Sequence, residues 1–329
     1  MNATRRGGEF ALIDAFAARL EPLEDGVGIG DDAAAWLPTP GKLLVATTDM
    51  LVEGVHFRLD WTSPRDLGWK ALAVNLSDLA AMGARPGKAL VSIALLADQG
   101  ELAGELYEGM SELARLTGTR IVGGDTVRTS GPLVVNVALV GEADPEGLLR
   151  RTGARPGDVV AITGVVGASA AGLAILLAGD EATLARPEAV SLISAHHRPR
   201  PQLEVGAALA AHRVRCAIDV SDGVASEAWH LAEASGVEIQ VDVDRLPLSD
   251  DAVSLLGRHR ARELALTGGE DYELLFTTPE VRLAEVSAAL PGTRITVIGR
   301  VGEGGAEGRA LFLDSGRPLE IAEAGYVAF

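Results

Sequence analysis

The chain has 329 residues, 47% of them hydrophobic, and a formal charge of −17 at pH 7. That length and composition suit two globular domains with sizeable cores, and no apolar run approaches the ~18 residues of a membrane-spanning helix. The acidity argues against a nucleic-acid partner, whose phosphates it would repel, while the single Cys216 and the polar start at Met1–Glu9 point to a cytoplasmic protein without disulfides.

Residues 9–20 have helical apolar spacing, and Leu43–Thr47 reads as a strand ending at Asp49. Ser63-Pro64 starts a helix, with Ser as N-cap and Pro at the first helical position, and Gly83 stops it after Met82. A strand over Ala89–Leu96, a helix over Glu101–Thr117, a short strand at Arg120–Val122 and a strand over Leu133–Glu142 follow. This β-α-β-α-β-β order predicts a layered sheet with helices packed on it. The polar, Gly/Pro-rich stretch 143–158 marks a domain boundary, giving domains 1–145 and 146–329. The second half alternates strands (159–163, 215–219, 237–243, 272–277, 295–301) with helices (168–178, 187–195, 202–211, 223–235, 280–290), an α/β or α+β pattern.

Short acidic motifs recur at the ends of apolar runs: Gly30-Asp31-Asp32, Thr47-Thr48-Asp49, Asn75-Leu76-Ser77-Asp78, Gly123-Gly124-Asp125 and Asp219-Val220-Ser221-Asp222. Short carboxylates on tight turns suit hard cations such as Mg²⁺, and several such ions in one site imply a polyphosphate substrate. Each motif also has a plainer reading. Thr47-Thr48-Asp49 and Gly123-Gly124-Asp125 are turn formers, and Asp219–Asp222 is a helix cap. Asp78 lies on an almost wholly apolar helix, on one face with Asn75, where a carboxylate needs a metal, a proton or an ion-pair partner such as Lys70. In Gly268-Gly269-Glu270-Asp271, Glu270 is a candidate substrate contact and Asp271 a turn cap. His56 suits an anionic acceptor and Arg151 a phosphate. His196-His197 has no third ligand at zinc spacing and reads as surface. The phosphate-binding loop of P-loop enzymes, the protein-kinase set and the dinucleotide glycine fingerprint do not occur.

Taken in order, Gly8-Glu9-Phe10, Gly28–Ala33, Thr47–Phe57, Lys70–Ala84, Gly123–Thr126, Asp219–Gly223 and Gly268–Leu274 resemble the thiamine-monophosphate kinase family over nearly the whole chain. The resemblance implies an aminoimidazole-ribonucleotide-synthetase-like fold: an N-terminal α/β domain (1–145) that binds ATP and Mg²⁺ and pairs its sheet across a homodimer, and a C-terminal α/β domain (146–329) that completes the site. It implies ATP-dependent phosphorylation of thiamine monophosphate to the diphosphate by direct in-line transfer. Asp32, Thr47, Thr48, Asp49, Asp78, Asp125, Asp219 and Asp222 would bind several Mg²⁺ ions. Asp49, Asp78 and Asp125 would act through those metals, with no general base. Tyr107, Gly124, Asp125, Arg151 and Ser221 would contact ATP, and His56, Glu270 and Tyr326 the thiamine monophosphate. The ending Gly325-Tyr326-Val327-Ala328-Phe329 lacks the His that commonly precedes the last Phe in the family. Two alternatives stand beside this reading: another ATP-using synthetase of the same superfamily, and a non-catalytic nucleotide- and Mg²⁺-binding regulator.

Overall fold

The computed structural model describes residues 17–21, 23, 25–96, 99–305 and 307–321. The predicted helix over 9–20, apart from 17–20, and Tyr326 lie outside the described residues. The chain divides into two compact units, Met1–Leu79 with Arg85–Glu142, and Ala80–Ala84 with Ala143–Phe329.

In the first unit β1 (Gly26–Val27) and β2 (Ala35–Trp36) form a small antiparallel pair. They precede β3 (Leu43–Val52), α1 (Pro64–Ala81), β4 (Arg85–Leu95), α2 (Gly100–Thr117), β5 (Arg120–Arg128) and β6 (Val134–Ala143). The strands β3 to β6 make a four-stranded sheet in the order β3-β6-β4-β5. The β4–β5 pair is parallel, with α2 as its crossover, and β4–β6 is antiparallel. Ser63 Oγ accepts from the Asp66 amide (3.1 Å) and so starts α1 as its Ser-Pro sequence predicts. Side chains alternate across the sheet: Val91, Ile93, Val135, Val137 and Leu139 are buried, and Leu44, Met50, Leu90 and Val127 are exposed. The helices α1 and α2 touch backbone to backbone. A Cβ added at Gly68 would lie 1.9 Å from the Leu106 carbonyl oxygen, and one at Gly109 would lie 1.8 Å from that of Arg65.

Three strands are longer than predicted, β4 beginning at Arg85 rather than Ala89. β3 runs through Asp49 to Val52, so Asp49 sits within a strand rather than at its end. β5 continues through Gly123-Gly124-Asp125 to Arg128, paired with Leu90–Leu95 of β4 beyond a register shift at Ala89/Leu90. The ladder from β4 overrides the local turn preference of Gly-Gly-Asp.

The second unit holds a seven-stranded sheet in the order β13-β12-β9-β11-β7-β10-β8. Its strands are β7 (Val159–Thr163), β8 (Cys216–Asp219), β9 (Glu238–Asp242), β10 (Leu274–Thr278), β11 (Ile295–Gly302), β12 (Arg309–Asp314) and β13 (Arg317–Leu319). Between them lie α3 (Ala168–Ala178), α4 (Glu181–Leu184), α5 (Pro187–His197), α6 (Leu203–Ala211), α7 (Val224–Ser235), α8 (Asp250–Leu256), α9 (Arg258–Thr267) and α10 (Glu280–Ala289). Val160 and Ile162 of β7 pack in one apolar cluster with α3, α5, α7 and α9, while Val159 and Ala161 pack in another with α6 and α10. The sheet is thus covered on both faces, which explains its unbroken apolar strands. Helices α8 and α9 and strands β12 and β13 carried no clear sequence signal. α9 opens Arg-His-Arg-Ala-Arg-Glu and buries only Ala261, Leu264, Ala265 and Leu266.

Candidate active site

In the first unit two of the acidic motifs, Thr47-Thr48-Asp49 and Asn75–Asp78, meet where β3 faces α1. Strand alternation turns Thr47 and Asp49 toward the helix, and the three-residue spacing of Asn75 and Asp78 places both on the facing turn. Thr47 Oγ1 donates a short hydrogen bond to Asp78 Oδ2, and the Asp49 amide donates to Asn75 Oδ1 at 3.1 Å. Asn75 is itself fixed by donating to the Ala71 carbonyl at 3.0 Å. Burial first, and the Asp78 charge second, push the Asp49 carboxyl from its ordinary 3.8 up to about 6. Two carboxylates and a hydroxyl held together by strand and helix form an all-oxygen donor set. Mg²⁺ commonly takes one or two protein carboxylates and completes its shell with water and substrate phosphate, so this set fits it. Among the described residues no three His, Cys, Asp or Glu side chains are grouped as metal ligands.

The remaining first-unit candidates are placed elsewhere. Thr48 points to the opposite, open face of the sheet, where Asn136 Nδ2 donates to its hydroxyl at 2.9 Å. Asn136 pairs with Ser92 and Ser92 with Asp125, so a polar row Thr48–Asn136–Ser92–Asp125 crosses all four strands. Asn136 and Ser92 escape a sequence reading because nothing local marks them; only the ladder aligns them with Thr48 and Asp125. Asp32 is exposed between β1 and β2, its amide bonded to Asp31 Oδ1 at 2.9 Å. Gly124 lies so close to β4 that a Cβ there would stand 1.8 Å from the Val91 carbonyl oxygen. Tyr107 is buried in α2, which pushes its hydroxyl pKa upward. His56 closes the turn after β3, with Nδ1 accepting from the Val52 amide at 3.1 Å. That bond leaves the ring proton on Nε2.

In the second unit the loop Val220–Gly223 joins β8 to α7. Asp219 is buried at the strand end, and Asp222 and Ser221 are partly exposed. Gly223 takes the N-cap position without a side-chain cap, so neither Asp of this loop serves as that cap. Glu227 instead reaches back from the first turn of α7: it accepts from the Asp222 amide at 3.0 Å and from Ser221 Oγ at 3.5 Å. Burial, with Asp219 and Asp222 close by, pushes Glu227 to about 8, against the opposing pull of Arg151. The Arg151 side chain thus sits in the field of Asp222 and Glu227, while its backbone carbonyl accepts from Ser235 Oγ at 3.4 Å. The sequence reading missed Glu227; its signal was a Glu in the first turn after Asp222-Gly223.

The Gly268–Tyr272 loop packs beside it. The Glu270 amide donates to the Ser221 carbonyl (2.8 Å) and the Tyr272 amide to that of Val220 (2.9 Å). Glu270 (φ 67°) and Tyr272 (φ 53°) both occupy the left-handed region, a strain typical of functional loops. Asp271 caps a distant element: its carboxylate accepts from the amides of Gly167 (2.6 Å) and Ser169 (3.1 Å) at the start of α3. Burial nevertheless pushes Asp271 to about 7. His196 and His197 are buried, not surface, because the last turn of α5 packs on α3. A cavity of about 260 Å³ opens beside these helices, lined by Ser169, Ser194, Arg198, Arg200, Asp271 and Glu273 among others.

Two layered α/β units that carry acid-rich motifs on strands, on a helix and on glycine-flanked loops define a class. The chain matches the AIR synthase related protein N-terminal domain over residues 30–143 and the corresponding C-terminal domain over residues 155–311. Within that class it is 41% identical over 295 residues to the thiamine-monophosphate kinase of Bacillus subtilis (strain 168), covering 87% of this chain and 90% of that one. The crystal structure of thiamine-monophosphate kinase from Stenotrophomonas maltophilia K279a superposes with a TM-score of 0.84 at 38% identity, over 94% of this chain and 98% of that one. A structure of AaThiL complexed with AMPPCP and TMP superposes with a TM-score of 0.77 at 35% identity, over 100% and 99% of the two chains. The chain belongs to the thiamine-monophosphate kinase family. Among its described residues no helix is long and apolar enough to cross a membrane.

Proposed function

We propose that this protein transfers the γ-phosphoryl group of ATP to the phosphate of thiamine monophosphate, forming thiamine diphosphate and ADP in the presence of Mg²⁺. One observation carries the reading: the family likeness extends over nearly the whole chain, with the Asp49–Asp78 pair presenting hard oxygen ligands in the first unit. The attacking group is a phosphate oxygen, already ionised near neutral pH, so the chain has no proton to remove. Its task is to bring two anions together.

We assign Asp32, Thr47, Thr48, Asp49, Asp78, Asp125, Asp219 and Asp222 to Mg²⁺. When bound, the metal ions supply charge neutralisation between acceptor and γ-phosphate. Tyr107, Gly124, Asp125, Arg151 and Ser221 are assigned to ATP, and His56, Glu270 and Tyr326 to the acceptor. Gly124 is supported by its exposure beside Asp125 on β5, where a residue without a side chain lets a phosphate approach the backbone. His56 is supported by its Nε2–H, a donor suited to an anion once Nδ1 is taken by the Val52 amide. Glu270 is supported by its strained backbone in a loop bonded to Val220 and Ser221. A homodimer is supported by the apolar open face of the first sheet, and a kinase that draws on ATP is placed in the cytoplasm. The charge of −17 fits small phosphorylated substrates approached through cations better than a nucleic acid.

Chromatography of thiamine monophosphate incubated with the protein, ATP and Mg²⁺ tests the reading. Thiamine diphosphate is expected in equal amount to ADP, and is absent when EDTA is present. A folded protein that binds ATP and makes no diphosphate would identify a regulator or a sister synthetase instead.

A further inference from the structure

We propose that His196 is the positioning residue for the Glu270 carboxylate and thereby sets the affinity for the acceptor substrate, an inference that rests on the assignment of Glu270 to that substrate. The imidazole is buried on the last turn of α5, and a buried ring nitrogen needs a partner. Its Nδ1 stands 3.1 Å from Glu270 Oε2 and 3.1 Å from Ser169 Oγ on the first turn of α3. An ionised carboxylate accepts only, so a bare Nδ1 lone pair facing it would be repelled; Nδ1 therefore carries the hydrogen, and Ser169 Oγ shares it.

Glu270 needs such a donor. Its charge lies close enough to those of Asp222 and Asp271 to disfavour their ionisation, and the repulsion is mutual. Its backbone, at φ 67°, is already held in a conformation that non-glycine residues rarely adopt. His196 holds Oε2 against that repulsion. With Oε2 held from the buried side, the partly exposed carboxylate is presented to a donor or a positive charge on the acceptor, and thiamine offers both. The α3–α5 contact that buries His196 thus sets the geometry of a loop contributed by a distant part of the chain.

Steady-state kinetics on the full-length protein test this. His196→Leu is expected to raise KM for thiamine monophosphate by about 10-fold or more, while kcat and KM for ATP stay within about threefold. His196→Asn, which keeps an N–H donor near the Nδ1 position, should recover most of the loss. In a Glu270→Gln background His196→Leu should add less than about twofold, because the two act on one interaction. An unchanged KM for thiamine monophosphate in His196→Leu, or equal rises in both KM values that His196→Asn does not relieve, would overturn the proposal. Should His196→Leu not fold, His196→Gln is measured against His196→Asn with the same expected ordering. If Glu270→Gln itself leaves that KM unchanged, the substrate assignment of Glu270 fails. If Glu270→Gln raises it and His196→Leu does not, the positioning role alone fails.

Discussion

Asp49 is a carboxylate that the fold holds at a cost. In the metal-free protein its folded form keeps a proton up to about pH 6, whereas the unfolded chain releases it near 3.8. Between those values the folded state binds more protons, so stability falls as pH rises, and above about pH 6 the loss is complete. A bound cation removes the cause, which is why such strain is tolerated at a site. Asp49→Asn deletes the charge and keeps the shape. It is expected to raise the melting temperature in EDTA at pH 7.5 by a few degrees, about 1–2 kcal/mol once the partial exposure of the carboxyl is allowed for. Thiamine diphosphate formation should fall at least about 100-fold. Loss of activity and stability together would mark Asp49 as a structural cap instead.

At the scale of elements, α1 and α2 cross where Gly68 and Gly109 each admit the other helix's backbone. Gly→Ala within a helix ordinarily stabilises by about 1 kcal/mol. At Gly109 the added methyl would meet the Arg65 carbonyl at 1.8 Å, so the helices must separate. Gly109→Ala is therefore expected to cost about 2–4 kcal/mol, read as a lower urea midpoint at unchanged slope. Helices of this kind were legible beforehand: Ser63-Pro64 and Gly83 bracket α1, and the glycine-bearing segments 220–223 and 268–273 are loops as their composition suggests. Misread segments share one cause, a local preference overruled by a distant partner. Gly123-Gly124-Asp125 looks like a turn until β4 pairs with it. His196-His197 looks like surface until α3 covers it, and the role of Glu227 depends on a loop that folds back over its helix. α9 is polar on too many sides to show a helical stripe. Composition and spacing place residues along a chain, whereas these contacts arise from burial and pairing between segments far apart in it.

For the whole molecule, the open face of the first sheet raises the question of what covers it. Leu44 (56% exposed), Met50 (55%), Leu90 (40%) and Val127 (48%) lie on that face around the polar row Thr48–Asn136–Ser92–Asp125. Contiguous exposed apolar side chains on a sheet favour association, and a stable interface removes about 1,200–2,000 Å² from water. A second copy of the chain is the expected occupant, giving a dimer in sedimentation velocity. Each chain carries −17, so charge opposes the pairing and apolar burial must drive it. Association should accordingly tighten as salt rises from about 0.05 to 0.5 M, whereas an interface built on ion pairs would loosen. Leu90→Glu, at the centre of the face on β4, should shift the protein to monomer while leaving its melting transition cooperative. Because Thr48 and Asp125 share that face, the monomer should also lose most of its Mg²⁺-dependent turnover; a fully active Leu90→Glu monomer would separate the face from the chemistry.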